Sequence, residues 1–413
     1  MPPVALLYLS SHFLSLLGNG IIAVALPLIV LQTGLSPLSV GAVSIATAAP
    51  ALLIGLCAGV LLDRVNRKTF SIASDIVSAC AVAAIPLVDA LWGLNLWWFV
   101  VLGIVGACGD VPGLTARQVL VPAVARHTGV SLERLVGLRQ SSTSMALVIG
   151  PAAAGTLLTL LDGSAVLLVT AATSGAAALL TAAIPHHLGR IGCVDAKPDR
   201  RASVWIQLTA GAAVLRRSKF LTGTVALTVG MAVVLGGLQG LVLPLYFSLL
   251  ARPDLLGFVL TALAVGMLVG TGTFAAVGAR IRRLFWMTGA ITGTTAGFVL
   301  IATLASPAVV FAGAALLGVA MAVQGAVVAV LHAERVPDDV RGRVLSIQNA
   351  CLQVAAPAGI GVVGVVAQYG SPVVAGLTIT AVWLAVVIAL ALSQALADLE
   401  PRDETASRGQ GSL

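Results

Sequence analysis

Charge is scarce in this chain. Only 9% of its 413 residues are Asp, Glu, Lys or Arg, against about 25% in a soluble globular protein, so a water-facing surface of ordinary area has too little polar material to cover it. Lysine is nearly missing, with Lys68, Lys197 and Lys219 beside 20 arginines, and the Ala, Gly and Val excess points to a GC-rich bacterial genome. The five cysteines (Cys57, Cys80, Cys108, Cys193, Cys351) are scattered, four of them in apolar runs. Without metal-ligand spacing they read as packing residues rather than a disulfide framework. Adjacent His186 and His187 would point about 100° apart on a helix, so they read as an exposed loop pair and not a metal site. A phosphate loop with Lys and Ser/Thr is absent, as is any soluble stretch able to hydrolyse ATP. No enzyme activity, cofactor or metal is therefore expected. A cleavable signal is not expected either, because the apolar run begins at Val4 with no basic region before it.

What the chain has in abundance is apolar length: 59% of it is hydrophobic and the mean hydropathy is +1.05. A spanning helix takes about 20 apolar residues. Runs of that length fall at roughly 4–31, 37–61, 69–90, 95–118, 136–160, 163–184, 219–246, 255–277, 285–304, 308–331, 345–368 and 372–396. Twelve spans leave both termini on one side, and the positive-inside rule says which. With a cytosolic N-terminus, 22 of the 23 Lys and Arg fall on the even-numbered connections or the tail; only Arg252 lies outside. The net charge of +7 thus follows from topology, and no nucleic-acid partner is implied. The expected fold is all-α and membrane-integral, with residues 1–184 and 219–396 as two six-helix bundles. Between them lies a cytosolic linker, 185–218, and a cytosolic tail, 397–413, follows the second. In the linker Trp205, Leu208, Ala212 and Leu215 recur at helical spacing ahead of Arg216, Arg217 and Lys219. That pattern fits a helix on the inner membrane face or a solvated linker helix equally well.

A faint internal repeat accompanies the six-plus-six division. Gly55 to Phe70, ending Arg67-Lys68-Thr69-Phe70, lines up with Gly270 to Phe285, ending Arg282-Arg283-Leu284-Phe285, and Gly150-Pro151 with Ala356-Pro357. Two similar halves place a substrate site at their interface near mid-membrane. The densest charge cluster is Gly59-x-Leu61-x-Asp63-Arg64-x-x-Arg67-Lys68, which resembles the signature between helices two and three of the major facilitator superfamily. Asn66 stands where that family usually has Gly, and Asn tolerates a left-handed backbone. Gly150-Pro151-x-x-Ala154-Gly155 resembles the helix-five motif of the family's antiporters, with Ala146 and Ala154 in place of Gly. Arg139-Gln140 running into Gly150-Pro151, and Glu334-Arg335-Val336-Pro337 running into Arg341-Gly342-Arg343, resemble the macrolide-efflux and enterobactin-exporter branch.

The resemblance implies two bundles that rock about a central cavity, with Gly59, Asp63, Arg64, Arg67 and Lys68 latching their cytosolic ends in one state. Elementary electrostatics agrees, since a carboxylate at Asp63 beside the N-terminus of run eleven gains roughly 0.3–1 kcal/mol. Asp75, two turns into run three, reads as a further latch partner for an inner-face arginine. Charges that merely stop a helix and set topology are the plainer alternative, but that role does not need an acid at 63.

Asp110 is the acidic residue set well inside a run. Intramembrane acids mark functional sites by default, and a carboxylate away from water can carry a proton. Arg117, seven residues on and about 10 Å along the helix, is the candidate that compensates its charge; a structural ion pair is the alternative. Pro112 removes a hydrogen bond to Cys108 and should distort the helix. His12, Ser15 and Asn19 share a face of the first helix, and His12 reads as a wet interfacial residue near the inner end. Gln239, Gln324, Asn349 and Gln353 are the matching polar points in runs seven, ten and eleven. Singly they read as helix–helix glue, and as a set they are candidate substrate contacts. Trp92, Trp97 and Trp98 read as an interfacial belt.

The expected function is secondary active transport in a bacterial cytoplasmic membrane. The chain would act as a monomer and use inward proton flow to expel a hydrophobic, cationic or neutral small molecule such as an antibiotic or secondary metabolite. Two rivals are a nutrient importer working by symport and a scaffold or sensor that moves nothing.

Overall fold

The computed structural model describes residues 1–62, 65–189, 218–335 and 338–393. The side chains of 55–62, 133, 279, 333–335 and 338–347 lie outside that description, as do most of the expected linker and the whole tail. Among the described residues there are twelve helices long and apolar enough to cross a membrane. They are α1 (Pro3–Gln32), α2 (Pro37–Leu62), α3 (Arg67–Trp92), α4 (Leu96–Thr128), α5 (Leu132–Leu160) and α6 (Gly163–Ala182). After the linker come α7 (Lys219–Leu249), α8 (Asp254–Val277), α9 (Arg283–Thr303), α10 (Pro307–Arg335), α11 (Asp338–Tyr369) and α12 (Pro372–Ser393).

The boundaries follow from local chemistry. Four helices open on a proline (Pro3, Pro37, Pro307, Pro372), whose missing N–H costs nothing at the first helical position. Asn66 caps α3 by accepting hydrogen bonds from the backbone N–H of Lys68 (3.0 Å) and Thr69 (3.2 Å). Its φ of −58° makes no use of that left-handed tolerance: the residue serves the turn through its side chain. Gly93 and Gly129, with φ of 75° and 69°, end α3 and α4 in the region that glycine enters without strain. The spans themselves are apolar on nearly every face, as befits helices whose outer side meets lipid.

The helix pairings repeat. In the first half α1 packs on α5 and α6, α2 on α4, and α3 on α4 and α6; six helices later α7 packs on α11 and α12, α8 on α10, and α9 on α10 and α12. These are two six-helix bundles of one design. Short polar links tie helices within each half. Ser11 Oγ donates to the Ala177 carbonyl at 3.0 Å and lies 2.6 Å from Thr181 Oγ1. In the second half Thr224 Oγ1 lies 2.7 Å from His332 Nε2, and Trp383 Nε1 donates to Thr295 Oγ1 at 2.8 Å.

The bundles meet along α2/α11 and α5/α8, pairs that exchange under the same repeat. A Cβ on Gly155 would stand 2.7 Å from the Asp254 carbonyl, and one on Gly41 would stand 3.2 Å from Gly361 Cα, so both crossings bring backbone against backbone. Thr261 Oγ1 donates to the Val148 carbonyl across the second crossing at 3.3 Å. All these contacts lie in the half of the molecule remote from the termini. Toward the termini Asn349 and Gln353 on α11 are exposed, although Gln353 is only about 12 Å along the helix from buried Gly361.

Candidate functional site

A cavity of about 340 Å³ lies in the first bundle at its junction with α11, within the size range of small-molecule sites. Its wall is mostly aliphatic, with Phe99 the aromatic in it; α11 contributes Gln353 and Pro357. The polar groups facing it are Asn19 from α1, Ser44 and Thr47 from α2, Ser78 from α3, Thr170 and Ser174 from α6, Gln353, and one carboxylate, Asp110 from α4. Ser78 and that carboxylate line the same cavity wall.

Two glycines make this arrangement possible. A Cβ on Gly109 would come 2.6 Å from the Ser74 carbonyl and 3.0 Å from the Ser78 N, and one on Gly113 would come 2.9 Å from Ser74 Cβ. Gly109-x-x-x-Gly113 therefore lets α3 lie directly on α4, the small-residue packing that membrane helices use where no hydrophobic force draws them together. The spacing is visible in the sequence, but so many small residues share these runs that it does not stand out there. The helix runs on through Pro112 and Pro122 as one α-helix, so the expected distortion does not interrupt it.

The same approach decides who pairs with Arg117. Its guanidinium, with the residue only 2% exposed, forms an ion pair with Asp75 of α3. Ser15 Oγ donates to Asp75 Oδ1 at 3.4 Å, and Tyr8 OH donates to the Arg117 carbonyl at 3.0 Å. The structure thus corrects one expectation and sharpens another: the direct partner of Arg117 is Asp75 rather than Asp110, and the arginine that Asp75 meets is Arg117, within its own bundle. Seven residues along a helix separate Asp110 from Arg117 by about 10 Å, whereas α3 brings Asp75 alongside. Asp110 remains within the field of both Asp75 and Arg117. Two acids and one base therefore share a poorly hydrated cluster, and one of its carboxylates faces the cavity.

The other candidates divide. Asn19, Asp110 and Gln353 face the cavity, and the remaining polar points do not line it. His12 is 2% exposed, its Nε2 3.1 Å from Thr143 Oγ1 and its ring stacked 6.4 Å from Tyr8. This corrects the wet interfacial reading, because α5 covers that face of α1. Ser15 belongs to the Asp75 cluster. Gln324 is 2% exposed, its Oε1 3.5 Å from Thr294 Oγ1, which ties α10 to α9. Gln239 falls in a π-helical turn, Leu238–Val242, an irregularity frequent at functional sites and invisible to periodicity. Asn349 is exposed on α11.

In the helix-five motif a Cβ on Gly150 would lie 3.0 Å from Gly20 Cα, so Gly150 fits α5 to α1. Gly155 fits α5 to α8, and Pro151 sits within the unbroken α5 helix. Of the latch residues, Lys68 Nζ donates to the Ala182 carbonyl at 2.8 Å, a cation at the C-terminus of α6, and Arg67 opens α3. Asp63 and Arg64 lie outside the described residues, as do the side-chain surroundings of Gly59. Cys80, Cys108 and Cys351 are exposed, which corrects their reading as packing residues: each falls on a helix face that the neighbouring helices leave open. Among the described residues no group of three metal-ligating side chains occurs. Trp92 and Trp97 are 71% and 74% exposed, and Trp92 stacks on Trp98 at 6.1 Å.

Comparison with known proteins agrees with this architecture. The profile of the Major Facilitator Superfamily matches residues 8–250 and again 225–412. "Multidrug efflux pump Tap" from Mycobacterium tuberculosis is 30% identical over 373 residues, covering 87% of this chain and 86% of that protein. "Macrolide efflux protein A" from Enterococcus faecalis is 23% identical over 320 residues, covering 75% and 95%. Among solved structures, the nucleoside transporter NupG superposes with a TM-score of 0.75 at 13% identity, covering 95% of this chain and 99% of that one. With the profile spanning both bundles and the helix pairing repeating between them, the chain belongs to the major facilitator superfamily.

Proposed function

We propose that this protein is a secondary active exporter of hydrophobic, cationic or neutral small molecules, driven by inward proton flow. The observation that carries the proposal is the cavity itself: a mostly aliphatic wall, neutral hydrogen-bonding groups, and one carboxylate, Asp110. Such a wall favours an apolar body, and a lone carboxylate suits either a proton or an organic cation, competing for one place. Competition of this kind couples two flows, because each ligand shifts the equilibrium only through its own differential affinity. The efflux names of the relatives support the outward direction.

The protein sits in a bacterial cytoplasmic membrane with both termini in the cytosol, as the placing of its arginines favours. It acts as a monomer. In that orientation the glycine crossings lie on the outer side, and the exposed Gln353 places the cavity's α11 wall toward the cytosol. The test uses inverted membrane vesicles with an acidified lumen and ethidium, a fluorescent lipophilic cation, with a macrolide as competitor. Wild-type vesicles should accumulate ethidium against its gradient. Asp110→Asn should keep downhill flux and lose gradient-driven accumulation. Undiminished accumulation in Asp110→Asn removes that residue from coupling, and accumulation by intact cells instead of vesicles would make the protein an importer.

A further inference from the structure

A second concave feature of the molecule faces the bilayer, away from the transport cavity. Between α9 and α10 runs a groove of about 380 Å³, lined by Ile281, Phe285, Trp286 and Gly289 on one side and Leu316 and Ala320 on the other. It is apolar along its length. From Phe285 to Gly293 the helix rises about 12 Å, close to the roughly 15 Å thickness of one hydrocarbon leaflet, and it starts at the end carrying the termini. Phe285 is 62% exposed and Ile281 43%, while the Trp286 ring is held edge-on against Phe274 of α8 at 5.5 Å.

Two arginines flank the first lining residue of the groove. Arg280 and Arg282, both exposed, stand on either side of Ile281 in the chain, and the Arg282 guanidinium lies 6.0 Å from the centre of the Phe285 ring, a cation over the first aromatic of the groove. Gly289 opens the middle, since a Cβ built on it meets no atom within 4 Å. A one-leaflet apolar channel ending in positive charge is complementary to a single kind of molecule in this setting. We infer that the α9/α10 groove binds an anionic phospholipid of the leaflet at the termini end, its acyl chain along Gly289 and its phosphate at Arg280 and Arg282. The inference is independent of what the central cavity carries.

The experiment is native mass spectrometry of the detergent-purified full chain titrated with phosphatidylglycerol and with phosphatidylcholine of the same acyl chains. An arginine near the membrane surface favours an anionic headgroup about fivefold, so the wild type should bind phosphatidylglycerol tens of times more tightly. Arg280→Ala/Arg282→Ala should bring phosphatidylglycerol down to the phosphatidylcholine level. Gly289→Leu, whose Cβ meets no atom within 4 Å, should weaken both lipids while keeping the lipid-free melting midpoint. If it melts lower, the arginine pair carries the test alone. Glycerol phosphate, the headgroup without a chain, should not bind. Equal affinity for the two lipids in the wild type, wild-type phosphatidylglycerol binding by a correctly folded Gly289→Leu, or binding of glycerol phosphate like the lipid would each overturn the site.

Discussion

Replacing Arg117 by Met tests whether the Asp75–Arg117 pair holds the first bundle together. The two residues are 4% and 2% exposed, and the partners available to an abandoned Asp75 carboxylate reduce to Ser15 at 3.4 Å. Removing one partner of a buried pair costs about 3–5 kcal/mol, because the other charge is left uncompensated, whereas replacing both by groups of similar size is close to neutral. For a unit the size of one bundle each kcal/mol moves the melting midpoint by roughly 2–4 °C. Arg117→Met should therefore lower it by about 6–20 °C, and Asp75→Asn/Arg117→Met should recover most of the loss. The assay is a melt in mild detergent followed by tryptophan fluorescence, at fixed scan rate since such unfolding is seldom reversible. A double variant melting with the single one would refute the account, since the loss would then come from the missing side-chain volume and not from the stranded charge.

Gly109→Val should destabilise severely and abolish transport, because its Cβ would lie 2.6 Å from the Ser74 carbonyl; well-folded, active protein would deny the α3–α4 contact its role. Asn66→Ala removes two cap hydrogen bonds and should cost about 1 kcal/mol, read as a midpoint lower by a few degrees with transport affinity unchanged. Gln353→Ala and Asn19→Ala should weaken ethidium binding severalfold by fluorescence titration without moving the melt; unchanged binding in both would place the substrate elsewhere. Asp63→Asn should slow vesicle turnover and leave affinity intact, and equal turnover would remove the latch.

Individual residues show where a sequence of this kind stops being informative. Asp110 stands out because a charge in an apolar run is visible at once, and its place on the cavity follows from being in the right helix at the right depth. His12 is misplaced when its depth is judged along its own helix, because its burial comes from α5, 131 positions away at Thr143. Arg117 goes to Asp110 on the sequence because both lie on one helix and their spacing can be counted. The true partner comes from α3, and only the backbone approach at Gly109 and Gly113 brings it near. Asn66 draws notice for its backbone tolerance, whereas the turn uses its cap hydrogen bonds.

Span number and the gathering of arginines at one end of the spans were set by the chain alone, because the free energy of moving a residue from water to hydrocarbon is nearly a property of that residue and can be summed along a window; the helices themselves run past those windows, α4 to Thr128 and α11 from Asp338. Which faces meet was decided only in three dimensions. Helices apolar on every side carry no periodic stripe to point inward, so packing against particular neighbours chose the Asp75–Arg117 pair, the walls of the cavity around Asp110, and the glycine crossings that join the two bundles.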